Sequence, residues 1–158
     1  MSKLETQQIK ETFSRLALHP LYLEHEPALT SEDAARIRGT DLSQGIKSLL
    51  FTNGSYEYVI VNVPAHQKVD ARKVAQCLDW KNAKMASPDD VLSETGCEVG
   101  SVPPFGHKNK MQIVYDRTIF VNHESSFNIG LRTHSVRIPT SEMKIVFADA
   151  NAIEGDFI

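Results

Sequence analysis

The stretch Ile46-Lys47-Ser48-Leu49-Leu50-Phe51-Thr52 is followed by Asn53-Gly54 and then by Tyr56 to Val63. Asn-Gly between two strand-like runs is the strongest short-range hairpin signal in the chain. The second run, Tyr58-Val59-Ile60-Val61-Asn62-Val63, is almost continuously apolar. A strand apolar on both faces belongs in the middle of a sheet, covered on each side. Pro64, which has no N–H, ends it. Lys47 stands out as a cation between apolar neighbours. It reads either as a solvent-facing strand lysine or as a donor aimed at an oxygen of a substrate or a phosphate, since an ammonium only donates.

Towards the N-terminus, Leu4, Ile9, Phe13, Leu16 and Leu18 fall near a helical period, and the predicted helix stops at His19-Pro20. Leu21 to His25 reads as a short extended piece. Thr30-Ser31-Glu32-Asp33 supplies an N-cap with early acids, and Gly39 stops that second helix. On the other side of the hairpin, Asp70 caps a helix through Leu78, and Lys84-Met85-Ala86 is a short strand. Ser87-Pro88-Asp89-Asp90 opens a helix that Gly96 closes after Thr95. Strands are predicted at Gln112–Tyr115, Ile119–Asn122 and Ser135–Ile138, with a turn at Asn128 and Gly130 and a last helix from Pro139 towards Phe147. The order of elements gives a mixed α/β or α+β domain. A single domain over 1–158 is expected, with an N-terminal helix within 1–20 and a loose polar tail over 149–158.

The segment Gly96-Cys97-Glu98-Val99-Gly100-Ser101-Val102-Pro103-Pro104-Phe105-Gly106 cannot be a helix interior. Gly100 and Pro104 bracket a Gly-x-x-x-Pro loop. Its N–H groups at Gly100, Ser101 and Val102 are placed either for a plain structural turn or to meet a carbonyl or phosphate oxygen.

Composition removes several classes. An apolar fraction of 41% with 23% charged residues is that of a globular chain, not a disordered one. The net charge of −3 offers no global basic field for nucleic acid, although Lys68, Arg72, Lys73, Lys108 and Lys110 are candidates for a local patch. Cys77 and Cys97 are too few for a disulfide framework; Cys77 reads as a small buried hydrophobe and Cys97 as a loop residue open to solvent. The six histidines show no metal-ligand spacing, and no nucleophile elbow, phosphate-binding loop or dinucleotide fingerprint is present. No metal or organic cofactor is expected. The charged start and the lack of a long apolar window predict no signal peptide and no membrane span, which makes the cytoplasm the expected compartment. An enzyme of this composition works by positioning and backbone donors.

Taken in order, several pieces resemble the YbaK/prolyl-tRNA synthetase editing domain family of aminoacyl-tRNA deacylases. They are His25-Glu26-Pro27 with Thr30 to Ala35; Gly45-Ile46-Lys47-Ser48-Leu49-Leu50-Phe51; Val69-Asp70 to Lys73-Val74-Ala75; Ala86-Ser87-Pro88; and Gly100-Ser101-Val102-Pro103-Pro104-Phe105-Gly106. The resemblance implies a strongly curved mixed sheet flanked by helices. It implies a free-standing trans-editing hydrolase that cleaves the ester of a small mischarged amino acid at the 3′ end of tRNA. The alternative it leaves open is an inactive module that binds tRNA or an aminoacyl-tRNA synthetase.

By the same resemblance, Lys47 holds the substrate carbonyl or a phosphate, and the amides of Gly100, Ser101 and Val102 receive the scissile carbonyl. A terminal ribose hydroxyl of the tRNA helps to activate water. Ser48, Pro103, Pro104, Phe105, Asn128 and Gly130 are the implied substrate-binding residues. The chain departs from the alanine-removing members, which carry Lys-Asn at Lys47-Ser48 and a His-Pro-Leu-x-Asn-Thr motif where this chain has Asn128-Ile129-Gly130-Leu131. The resemblance therefore does not fix which amino acid is removed.

Overall fold

The computed structural model describes residues 2–158, with side chains from Leu4 onward; Met1, part of the expected first helix, lies outside the described residues. The predicted hairpin forms from β2 (Ile46–Thr52) and β3 (Tyr58–Pro64), antiparallel, with Lys47 opposite Val63 and Thr52 opposite Tyr58. Its loop is five residues long, not two. The Asn53 carboxamide oxygen accepts from the Ser55 and Glu57 N–H groups, and Thr52 Oγ1 donates to the Glu57 carbonyl. These side-chain bonds build a wider turn than Asn-Gly alone would make.

β3 lies at the centre of a five-stranded sheet ordered β4-β2-β3-β5-β8, where β4 is Lys84–Met85, β5 is Gln112–Asp116 and β8 is Ile153–Gly155. The two-residue period divides its side chains between two apolar clusters. Val59, Val61 and Val63 join Phe51, Val114 and Phe157, beneath Val74 of α3 (Ala71–Leu78). Ile60 joins the larger cluster with Ile9 and Phe13 of α1 (Ser2–Arg15) and Phe147 of α5 (Thr140–Asp149). A second, antiparallel sheet runs β1-β7-β6: Leu21–Glu24, His134–Pro139 and Glu124–Leu131. It adds Phe127 and Ile138 to the larger cluster, and a single parallel bridge, Gly45 to Ser126, ties the sheets together.

The caps follow the sequence closely. Thr30 Oγ1 accepts from the Asp33 N–H at the start of α2 (Ser31–Arg38), and left-handed Gly39 closes it. Ser87 caps α4 (Pro88–Thr95), which left-handed Gly96 ends. Several expectations differ. The first helix stops at Arg15, where the chain turns through a left-handed Ala17 before it reaches His19-Pro20. Arg117–Val121 is a 3₁₀ turn rather than a strand, because the Asp116 carboxylate accepts the Thr118 N–H and hydroxyl and pulls the chain out of the extended form. Asn128 and Gly130 lie within β6, where Gly130 at φ +107° marks a bulge; the turn comes after it, before His134.

The tail is not loose. β8 pairs in parallel with β5, and Phe157 is buried. The Phe157 N–H donates to Asp116 at 2.7 Å, and its carbonyl accepts from the Asp70 N–H at 2.7 Å.

The cysteines reverse their expected places. Cys97 is buried in the larger cluster and its thiol is pushed up to about 12 by burial, whereas Cys77 is exposed on α3. Maleimide labelling of the native protein should therefore modify Cys77 alone, with Cys97 reacting only after unfolding. Equal reaction at both would show that the segment after α4 opens in the native state.

Candidate active site

A cavity of about 270 Å³ lies between the start of α2, the first half of β2, the loop after α4 and the bulged part of β6. Lys47, Ser48, Gly100, Val102 and Asn128 all line it, so the strand lysine and the glycine loop meet in one place. Its other walls are largely apolar, with Ala28, Leu29, Ala34, Ala35, Leu42 and Val99 among them. Two of the lining residues, Lys47 and Arg38, are basic and none is acidic. A chain of net charge −3 thus encloses a cationic cavity.

Lys47 is half-buried and makes no ion pair or hydrogen bond among the described residues. Burial lowers its pKa from the ordinary 10.5; Glu32 opposes the shift and Lys68 adds to it. The ammonium is therefore available to a ligand oxygen. Of the five cations considered for a basic patch, none lines the cavity. Lys68 lies near enough to repel Lys47, and Lys73 is engaged with the carbonyl of Ile158.

The loop is held in place by its carbonyls. Those of Val99, Gly100 and Ser101 accept from Arg132 Nη2, Asn128 Nδ2 and the Gly130 N–H. Those of Pro103 and Pro104 accept from His107 Nε2 and Asn62 Nδ2. The Ser101 amide donates to the Glu98 carbonyl at 3.0 Å, and its hydroxyl donates to the same oxygen at 2.8 Å. Of the three expected amide donors, Ser101 is thus already committed. The N–H groups of Gly100 and Val102 have no protein partner among the described residues.

Most of the other expected residues belong to the frame around the cavity. Ser48 lines the cavity, but its hydroxyl donates to buried Asn62 at 2.6 Å, and Asn62 in turn reaches the Pro104 carbonyl at 3.2 Å. That chain ties β2 to the loop through β3. Pro103, Pro104, Phe105 and Gly130 are not among the lining residues. The Phe105 ring sits edge-on to Phe13 and Phe127, with centroids 5.5 and 6.3 Å away. Gly130 gives its N–H to the Ser101 carbonyl.

Arg38 is the residue that the sequence reading missed. It is only 7% exposed, yet it makes no ion pair among the described residues. Nη1 donates to Ser126 Oγ at 3.2 Å and Nη2 to Asn128 Oδ1 at 2.9 Å, while Nε has no partner. Burial pulls its pKa down to about 10. One signal was available: Arg38 follows buried Ala34 by four residues and so shares the inward face of α2.

No histidine or cysteine lines the cavity. Among the described residues no group of three or more His, Cys, Asp or Glu side chains could hold a metal ion. The arrangement offers an ammonium and two free amides to an oxygen that gains negative charge, within a small and largely apolar enclosure. Such donors act most strongly when fixed before the charge appears.

A family model for the aminoacyl-tRNA editing domain matches residues 25–145. The multifunctional Ser/Thr-tRNA deacylase ProXp-y of Escherichia coli strain K12 is 34% identical over 122 residues, covering 75% of this chain and 73% of that protein. A proline–tRNA ligase of Thermosipho melanesiensis is 33% identical over 109 residues, which are 68% of this chain but 19% of the ligase. A solved structure, proposed to be a trans-editing enzyme for prolyl tRNA synthetase, superposes with a TM-score of 0.82 at 22% identity. It covers 97% of this chain and 96% of its own, which establishes the likeness of fold, a mixed α+β architecture. Among the described residues no helix is long and apolar enough to cross a membrane.

Proposed function

Because this chain belongs to the aminoacyl-tRNA editing domain family, we propose that it is an aminoacyl-tRNA deacylase, hydrolysing the ester that joins a small mischarged amino acid to the 3′ end of tRNA. The observation that carries this reading is the meeting of unpaired Lys47 with the free amides of Gly100 and Val102 in one cavity without an acidic lining residue. Water adds to the ester carbon, and the carbonyl oxygen takes up the negative charge. Lys47 and the two amides hold that oxygen, as preorganised donors do in acyl transfer. The C–O bond to the ribose then breaks, and the 3′ oxygen leaves with a proton. The products are a free amino acid and uncharged tRNA.

No side chain lining the cavity has the form of a nucleophile with an adjacent base. The vicinal ribose hydroxyl of the substrate is the group we assign to orienting the water. A cavity of about 270 Å³ suits a small aminoacyl group, and the named activity of the Escherichia coli relative favours seryl or threonyl esters. A synthetase partner, which would supply mischarged tRNA directly, belongs to the same proposal.

Deacylation of labelled Ala-, Cys-, Ser- and Thr-charged tRNAs tests this. Rapid release from Ser- or Thr-tRNA above the spontaneous rate is the expected result. No release from any of the four would overturn it and leave a tRNA- or synthetase-binding module in its place.

A further inference from the structure

A peptide group is planar and trans, so its N–H points opposite to its C=O. Holding a carbonyl therefore aims the amide of the following residue. Three consecutive carbonyls of the site loop are held, and all three donors come from residues 128–132. Val99 O accepts from Arg132 Nη2 at 2.8 Å, Gly100 O from Asn128 Nδ2 at 2.6 Å, and Ser101 O from the Gly130 N–H at 3.2 Å. The Val99–Gly100 peptide thus turns the Gly100 N–H away from Arg132. The Ser101–Val102 peptide turns the Val102 N–H away from Gly130. The peptide between them is pinned on both sides, its carbonyl by Asn128 and its N–H by the Glu98 carbonyl.

The direction of Asn128 is itself imposed. A carboxamide carries an acceptor on one side and a donor on the other, whereas a guanidinium only donates. Arg38 Nη2 lies 2.9 Å from Asn128 Oδ1, so Nδ2 must face the other way, onto Gly100 O. Arg38 is fixed in turn by Ser126 Oγ. A buried guanidinium without a carboxylate partner is costly, and an apolar residue would fill the inner face of α2 at less cost. A charge retained there is explained by the need for a donor that cannot reverse its role.

We propose that Arg38 and Asn128 form a positioning relay that pins the Gly100–Ser101 peptide, the link between the two free amides, and so keeps the Gly100 and Val102 N–H groups aimed at the reacting oxygen without touching it. The relay rests on the deacylase reading, and the test separates the two. Asn128→Asp keeps the size of the side chain and its acceptor towards Arg38, but replaces the donor towards Gly100 O by a second acceptor. Its kcat on the aminoacyl-tRNA that the wild type cleaves should fall about 100-fold, the scale of a misplaced reacting geometry. KM should stay within about threefold, because ground-state binding is not what the amides supply. The thermal midpoint should hold or rise, since Arg38 gains a counter-ion.

Arg38→Met, which frees the carboxamide to flip, should lose about 10-fold in kcat by the same geometric argument. The double variant should be no worse than Asn128→Asp, because both act through one link. Losses that multiply, a change confined to KM, or an Asn128→Asp variant with unaltered kcat would each overturn the relay. A wild type inactive on every charged tRNA refutes the deacylase reading instead. The relay is then still read from the Gly100 and Val102 amide resonances, which should shift in Asn128→Asp and Arg38→Met; unshifted resonances overturn it. Should Asn128→Asp fail to fold, Asn128→Ser removes the same donor and carries the same expectations for kcat and KM.

Discussion

Lys47→Ala is expected to lower kcat/KM for deacylation by about 100- to 1000-fold, the loss seen when one preorganised donor is removed from a developing oxyanion. Its effect on folding should be small, since Lys47 is half-buried and holds no protein group. The useful state is the protonated one. Burial lowers the Lys47 pKa, so rising pH should remove activity earlier than an ordinary lysine would, with full activity on the acidic side of that transition. The ester itself hydrolyses faster in base, so each rate is corrected against a protein-free control. Lys47→Arg keeps the charge but replaces a compact ammonium by a planar fork, and should recover little. A Lys47→Ala enzyme within about threefold of wild type would remove the residue from the mechanism.

Phe105→Ala is expected to cost about 3–5 kcal/mol of stability, as for other buried rings cut back to a methyl group. The ring is only 2% exposed and packs edge-on against Phe13 and Phe127. It anchors the C-terminal end of the loop that carries the free amides. Urea unfolding should show the loss as a lower midpoint with little change in slope, and the fraction that remains folded should keep its KM. Intact stability with a raised KM would mean that Phe105 reaches the substrate instead. Lys47 is expected to act through chemistry, Phe105 through the packing behind it.

The sequence made the local signals of this fold legible. Thr30, Asp70 and Ser87 each cap the helix they announced, and Gly39 and Gly96 close theirs. The continuous apolar run of β3 gave its central, doubly covered place. What failed depended on partners far away in the chain. Phe157 looked like part of a polar tail, because only Asp116 and Asp70, forty and more residues earlier, give its backbone a place. Ile119–Val121 has strand-like composition, but the Asp116 side chain bends the chain first.

The same division runs through the site. Lys47 and the glycine loop stood out because their residue types are unusual where they stand, and the fold brings them to one cavity. Ser101 was expected to offer an amide that Glu98 in fact occupies. Arg38 was invisible as a site residue, because a last-turn arginine on a helix ordinarily faces water, as Arg36 does beside it.

The pairing of β1 with β7 sets Leu21 against Arg137, and this fixes when the enzyme can come into being. A chain released by the ribosome from its N-terminus delivers α1 and β1 before β6 and β7, the strands they contact, have been made. The cavity draws walls from Ala28 through Asn128, and the donors that steer its amides extend to Arg132. Closing contacts of such long sequence separation is slow. The proposed catalytic arrangement is therefore among the last features to assemble, and the nascent chain is expected to show no deacylase activity until Asn128 to Arg132 have emerged.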